Sequence, residues 1–130
     1  MKLVTAAIII KNNRVLLMRR KKGLKLEGYW EFPGGKIEND ETPQLCLERE
    51  LHEELCVKSK AGKIIAESIY KYGHDVIKLI GIETMLIEDN FKLTAHDKAE
   101  WVVVENIINY RLTPADIPIA KKIIELSETV

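Results

Sequence analysis

Glu50, Glu53 and Glu54 are three carboxylates on one short stretch of a 130-residue chain. At i, i+3 and i+4 they share one face of any helix that carries them. Like charges at that spacing repel by about a few tenths of a kcal/mol per pair. A divalent cation would offset the repulsion, and carboxylate oxygens select Mg²⁺, Mn²⁺ or Ca²⁺ over zinc. Just upstream, Pro33-Gly34-Gly35 lets the backbone come close to a ligand, with carbonyls toward a cation or N–H groups toward a phosphate. Singly, each feature also fits a bland use: a solvated helix face, an ordinary turn. The charge distribution adds to them. Residues 1–35 hold eight Lys/Arg and two Asp/Glu, whereas residues 36–56 hold two and seven. A basic segment beside an acidic block suits an anionic substrate held together with a cation.

Elements to position these residues can be read from periodicity. Residues 42–55 form a helix with Thr42 as cap, Pro43 in the first turn and Leu47, Leu51 and Leu55 as an apolar stripe. Residues 3–10 and 14–19 are β-rich runs around Asn12-Asn13 and read as a hairpin. The connection 20–35 is long enough to be functional. Residues 63–72 and 75–87 form a second hairpin around Gly73-His74, with a turn at Asp89-Asn90. A short strand at Trp101–Val104, a helical turn at 105–109 and a closing helix at 119–127 follow, the last with Ile119, Ile123, Ile124 and Leu126 inward. The pattern predicts a single α/β domain over 1–130, a sandwich of helices around a mixed sheet.

The run from Gly35 to Val57, GKIENDETPQLCLERELHEELCV, resembles the box of the Nudix hydrolase family. Gly35, Glu41, Arg49, Glu50, Leu51, Glu53, Glu54 and Val57 stand on its defined positions. Cys56 stands where the pattern has glycine, just past the helix end, where a left-handed residue is common. Cysteine there implies a backbone cost of roughly 1 kcal/mol or a shifted helix end. Trp30-Glu31-Phe32-Pro33-Gly34-Gly35 is similar to the MutT-type subgroup, and Leu112–Pro118, Lys92–Asp97 and Trp101 to bacterial CTP pyrophosphohydrolases.

The resemblance implies a Nudix fold and hydrolysis of a nucleoside triphosphate to monophosphate and diphosphate with Mg²⁺ or Mn²⁺. It implies (d)CTP-like or oxidised purine substrates such as 8-oxo-dGTP. The alternatives are ADP-ribose, dinucleoside polyphosphates or nucleotide sugars, or a non-catalytic nucleotide sensor. Carried over, Glu50, Glu53 and Glu54 with the Gly35 carbonyl are metal ligands, and Glu50 or Glu53 activates water. Glu41 and Arg49 form a structural pair. Arg20, Phe32 and Asp116 contact the nucleotide, Asp116 reading the base or else capping the last helix. Asp97 or Glu100 is a candidate further ligand or base.

Equal counts of 20 basic and 20 acidic residues argue against coating a nucleic-acid backbone. No apolar stretch approaches the about 20 residues a bilayer needs. Cys46 and Cys56, about 15 Å apart on one helix, are too distant for a disulfide. Reduced thiols imply a cytoplasmic protein; a monomer or homodimer, with a nucleotide substrate and no stable nucleic-acid or membrane partner, is expected. His52, His74 and His96 show no ligand spacing and are expected to be exposed, while Trp30 and Trp101 are expected to pack on the sheet.

Overall fold

The computed structural model describes residues 1–88 and 90–128, so the turn expected at Asp89-Asn90 lies partly outside them. The chain runs β1 (Lys2–Ile8), β2 (Ile10–Lys11), β3 (Arg14–Arg20), β4 (Trp30–Glu31), α1 (Pro43–Leu55), β5 (Ser59–Tyr72), β6 (Asp75–Leu86), β7 (His96–Val103), a 3₁₀ helix (Val104–Asn109) and α2 (Asp116–Ser127). β1 pairs parallel with β6, which pairs antiparallel with β5, giving a mixed sheet. β3 pairs antiparallel with β2, β4 and β7 in a second sheet.

Alternation along the strands divides the core. Ala6, Ile8, Val15, Leu17 and Leu79 point to one face and join Ile119 and Ile123 of α2. Ala7, Ile9, Leu16, Met18, Ile80 and Ile82 point to the other and join Leu47, Leu51 and Leu55 of α1. Successive side chains of a strand face opposite ways, so strands apolar at every position are covered twice. The result is the expected α/β/α sandwich. α1 begins as expected, with Thr42 Oγ1 accepting from Leu45 N at 3.1 Å and Pro43 in the first turn.

Four expectations change. Residues 3–10 do not form a hairpin with 14–19. β1 belongs to the mixed sheet, and only Ile10 and Lys11 fold back, opposite Val15 and Arg14, around Asn12 and Asn13 at φ 51° and 61°. A continuous apolar run reads the same whichever strand it pairs with. The last strand starts at His96, five residues early, because its polar residues hide the alternation. The last helix starts at Asp116, since Pro118 falls in the first turn, where no N–H bond is missed. Leu126 is exposed rather than inward.

Cys56 adopts the left-handed conformation, φ 57° and ψ 35°, with its N–H donating to the His52 carbonyl at 3.0 Å. The box glycine's geometry is therefore retained with a side chain on it. Cys56→Gly is expected to raise stability by roughly 1 kcal/mol, read as a shift in chemical-denaturation midpoint at constant slope.

Candidate active site

α1 presents its acidic face to Pro33–Gly35, which runs alongside β1, Thr5 N donating to the Gly35 carbonyl and Ala7 N to the Pro33 carbonyl, both at 2.7 Å. Arg49 organises that face. Its Nε and Nη2 donate to Glu41 at 2.6 and 2.9 Å, its Nη1 to Glu50 at 3.0 Å and to Glu53 at 3.2 Å, and its Nη2 to the Lys36 carbonyl at 3.2 Å. The guanidinium hydrogen bond holds Glu41 down to a pKa of about 2. Glu53 is exposed at the rim, while Glu50 is mostly buried and burial raises its pKa against the pull of Arg49.

Glu54 is different. Burial, then the charges of Glu31 and Glu50, push its carboxyl up to about 8, opposed by Arg20 and a backbone hydrogen bond from Gly34. Its Oε1 is buried and has no partner. Among the described residues no three His, Cys, Asp or Glu side chains already converge at ligand distance, because Arg49 draws Glu50 and Glu53 toward itself. The donors nevertheless fit a hard divalent cation: all are carboxylate oxygens, and the most buried lacks a counter-charge of its own.

The glycines act through the space they leave. A Cβ on Gly35 would lie 2.2 Å from the Glu50 carboxyl carbon, and one on Gly34 would lie 2.0 Å from the Thr5 carbonyl oxygen. The Gly35 carbonyl, expected to face the cation, is instead turned into β1. It accepts from Thr5 N at 2.7 Å, Thr5 Oγ1 at 3.0 Å and Cys46 Sγ at 3.6 Å, which occupies both lone pairs. Gly35→Ala is expected to displace the Glu50 carboxylate, leaving a folded protein with at least about tenfold lower activity; circular dichroism together with turnover checks it.

Beside this face lies a cavity of about 490 Å³ between the two sheets, lined in part by Arg20, Leu26, Glu31, Tyr72, Thr113 and Asp116. A larger groove, about 820 Å³, opens elsewhere along Ile10, Lys60, Met85 and Leu126 and contains none of the motif carboxylates. Asp116 is not the cap of α2. The cap position is Ala115, and the Asp116 side chain accepts from the Thr113 hydroxyl and, at 3.5 Å, from Phe32 N. Burial, then the charge of Glu31, pushes Asp116 up to about 8, so near neutral pH it is largely a carboxylic acid with one donor and one acceptor. Arg20 lines the cavity and binds Glu31 at 3.1 and 3.3 Å and the Lys25 carbonyl at 2.6 Å.

Other expected residues stand elsewhere. The Phe32 ring is in the core, and only its peptide reaches Asp116. Asp97 is taken by Arg19 at 2.7 and 3.1 Å, and Glu100 accepts from the Tyr110 hydroxyl at 2.6 Å, so both are engaged by partners of their own. Trp30 packs edge-on against Tyr110 and Trp101 joins the α1-side core, as expected. His52 and His74 are exposed, but His96 is buried, its Nε2 2.8 Å from Glu31 Oε2. Sequence reasoning missed both members of that pair. Glu31 stands between Glu54 and Asp116 and raises the pKa of each. Its place inside the Trp-Glu-Phe-Pro-Gly-Gly run was the available signal.

The NUDIX domain family profile matches residues 1–125. The chain belongs to the NUDIX domain family. Nudix hydrolases generally depend on divalent metals. The chain is 32% identical over 123 residues to the CTP pyrophosphohydrolase of Escherichia coli, covering 95% of this chain and 91% of that protein. It is 48% identical over 53 residues to the 8-oxo-dGTP diphosphatase of Proteus vulgaris, covering 40% and 47%. The solution structure of the Escherichia coli ORF135 protein superposes with a TM-score of 0.85 at 32% identity, covering 98% of this chain and 91% of that one.

Proposed function

We propose that the chain is a pyrophosphohydrolase that converts nucleoside triphosphates to monophosphate and diphosphate, acting with Mg²⁺ or Mn²⁺ on (d)CTP-like or oxidised purine nucleotides. The observation that carries this reading is the continuity of two unlike sites. A carboxylate face with an uncompensated Glu54 adjoins a cavity floored by the buried Asp116 carboxyl, and Glu31 stands between them. A triphosphate needs the first and its base needs the second. Similarity to a protein named CTP pyrophosphohydrolase supports the substrate class.

In this reading Glu50, Glu53 and Glu54 hold the cation, and Arg49 with Glu41 keeps the helix face and the glycine loop in register. A divalent cation held by these carboxylates would supply a lowered pKa for water and would screen the phosphate oxygens. Glu50 or Glu53 orients the attacking water and takes its proton. Arg20, beside the cavity, contacts the sugar or phosphates. Asp116, as an acid, sets an O–H and a carbonyl oxygen side by side, which pairs with the N3 and N4 amino edge of cytosine. The same groups can pair with the O6 and N1–H of a guanine.

A nucleotide panel tests the reading: CTP, dCTP, 5-methyl-dCTP, dGTP, 8-oxo-dGTP, ADP-ribose and a dinucleoside tetraphosphate. Turnover is expected to concentrate on the cytidine or oxidised purine triphosphates. Asp116→Ala is expected to flatten the ranking of bases, with kcat/KM on the preferred base falling by about 5- to 150-fold. An unchanged ranking would remove Asp116 from base recognition, and cleavage confined to ADP-ribose or the dinucleotide would overturn the substrate class.

A further inference from the structure

Five non-glycine residues among those described have positive φ. Three are asparagines and one is Cys56 at the helix end. The fifth is Leu26, at φ 58°, in the loop between β3 and β4. Leucine has neither the short polar side chain that steadies asparagine in this conformation nor a helix end that calls for it. Core packing does not account for it either, since Leu26 is 36% exposed and belongs to neither core cluster.

The loop is nonetheless held tightly. Buried His96 binds Glu31, Glu31 binds Arg20, and Arg20 Nε donates to the Lys25 carbonyl at 2.6 Å. Gly28 N donates to the Arg20 carbonyl at 2.9 Å and Tyr29 N to the Leu26 carbonyl at 3.0 Å. Strain that its surroundings enforce at a cavity wall points to a use for the side chain. Leu26 lines the 490 Å³ cavity.

Tyr72 lines the same cavity from the other sheet, at the end of β5 before the turn at Gly73. Its ring lies 4.5 Å from that of Tyr70, and both rest on the α2-side core. Its hydroxyl meets the Ala115 peptide, next to Asp116. The cavity thus receives an aliphatic side chain from the β3–β4 loop, an aromatic ring from β5, and the Thr113–Asp116 pair at its floor. A planar heterocycle makes those demands: two apolar faces and one polar edge.

We propose that Leu26 and Tyr72 are the two walls of a nucleobase slot, and that the left-handed backbone at Leu26 serves to turn its side chain into that slot. The inference rests on the nucleotide reading of the cavity and adds to it the residues that determine fit to the base. Because the strain serves binding, relieving it should separate stability from affinity. Leu26→Asn accepts the same backbone at lower cost and removes the apolar wall.

The experiment uses the full chain with Leu26→Asn, Tyr72→Phe and Tyr72→Leu. Thermal unfolding is read alongside NMR titrations of dCMP, dGMP and, as a probe without a base, 2-deoxyribose 5-phosphate, all without divalent cation. Leu26→Asn is expected to unfold no earlier than the parent and to bind the monophosphates about 10-fold more weakly, as is Tyr72→Leu, given the worth of a lost stacking wall. Tyr72→Phe, which keeps the ring, is expected to weaken the monophosphates less than Tyr72→Leu, and the sugar phosphate binds all four proteins alike. Unchanged monophosphate binding in both Leu26→Asn and Tyr72→Leu, with the parent binding normally, overturns the slot while leaving the function reading standing. Equal weakening of the sugar phosphate overturns it too, since the loss would then be general. A parent that binds neither monophosphate overturns the slot alone, since the function reading concerns turnover of triphosphates with a divalent cation and is decided by the nucleotide panel.

Discussion

Glu54→Gln is expected to reduce turnover by more than the roughly 10- to 100-fold that loss of an outer partner of a metal site costs, and at the same time to stabilise the protein at pH 8 in chelator. Glu54 is half-buried, its Oε1 is buried and unpartnered, and the neighbouring charges of Glu31 and Glu50 oppose its ionisation. An amide at this position still accepts the Gly34 hydrogen bond but carries no buried charge. Removing an uncompensated charge from a desolvated site relieves the folded state. A residue that only supported the fold would lose stability along with activity. Opposite changes in the two quantities therefore identify a carboxylate held for a ligand. Thermal unfolding in chelator and turnover with Mg²⁺, on the same preparation, check both. A destabilised variant with near-normal turnover would contradict the assignment.

The second large effect is in the pH dependence. Glu54 and Asp116 are raised from ordinary values of 4.5 and 3.8 to about 8. Between those limits the unfolded chain has released both protons and the folded chain keeps them. The folded state then binds more protons, so stability falls as pH rises through this window. Glu41 works the other way: its carboxylate is held down to about 2 by Arg49, and its contribution is lost as pH falls below 4.5. Maximal stability in chelator is therefore expected near pH 4 to 5 rather than at neutrality. A cation that needs Glu54 ionised must displace its proton, so affinity for Mg²⁺ or Mn²⁺ should rise by up to about tenfold per pH unit below pH 8. Glu54→Gln should remove its share of the stability slope and leave that of Asp116. Unfolding midpoints from pH 4 to 9, with and without divalent cation, read both effects; a midpoint that climbs steadily from pH 5 to 8 in chelator would contradict them.

The sequence carried most of what is local. The α1 stripe of Leu47, Leu51 and Leu55, its Thr42 cap and the Arg49–Glu41 spacing are all set within one or two helical turns. The left-handed Cys56 follows from the helix end it terminates. What the sequence concealed depends on contacts distant along the chain. β1 is apolar at nearly every position, so nothing local says that it pairs with β6, some 75 residues on. His96 looked like a surface histidine because the polar start of β7 hid the strand that turns it inward onto Glu31. The Gly35 carbonyl looked free to face a cation until Thr5, thirty residues earlier, claimed it. Phe32 moved for a related reason: in a strand-like run the side chain and the peptide of one residue serve different neighbours, the core and Asp116.

Hydrolysis of a triphosphate bound in the cavity to monophosphate and diphosphate, at the adjoining acidic face of α1 loaded with a divalent cation, is the expected reaction. It is tested most directly by ³¹P NMR of CTP incubated with the protein, with Mg²⁺ and then with excess chelator. The expected result is CMP and pyrophosphate in equal amounts, stopped by the chelator. CDP and orthophosphate, or an undiminished rate in chelator, would contradict it.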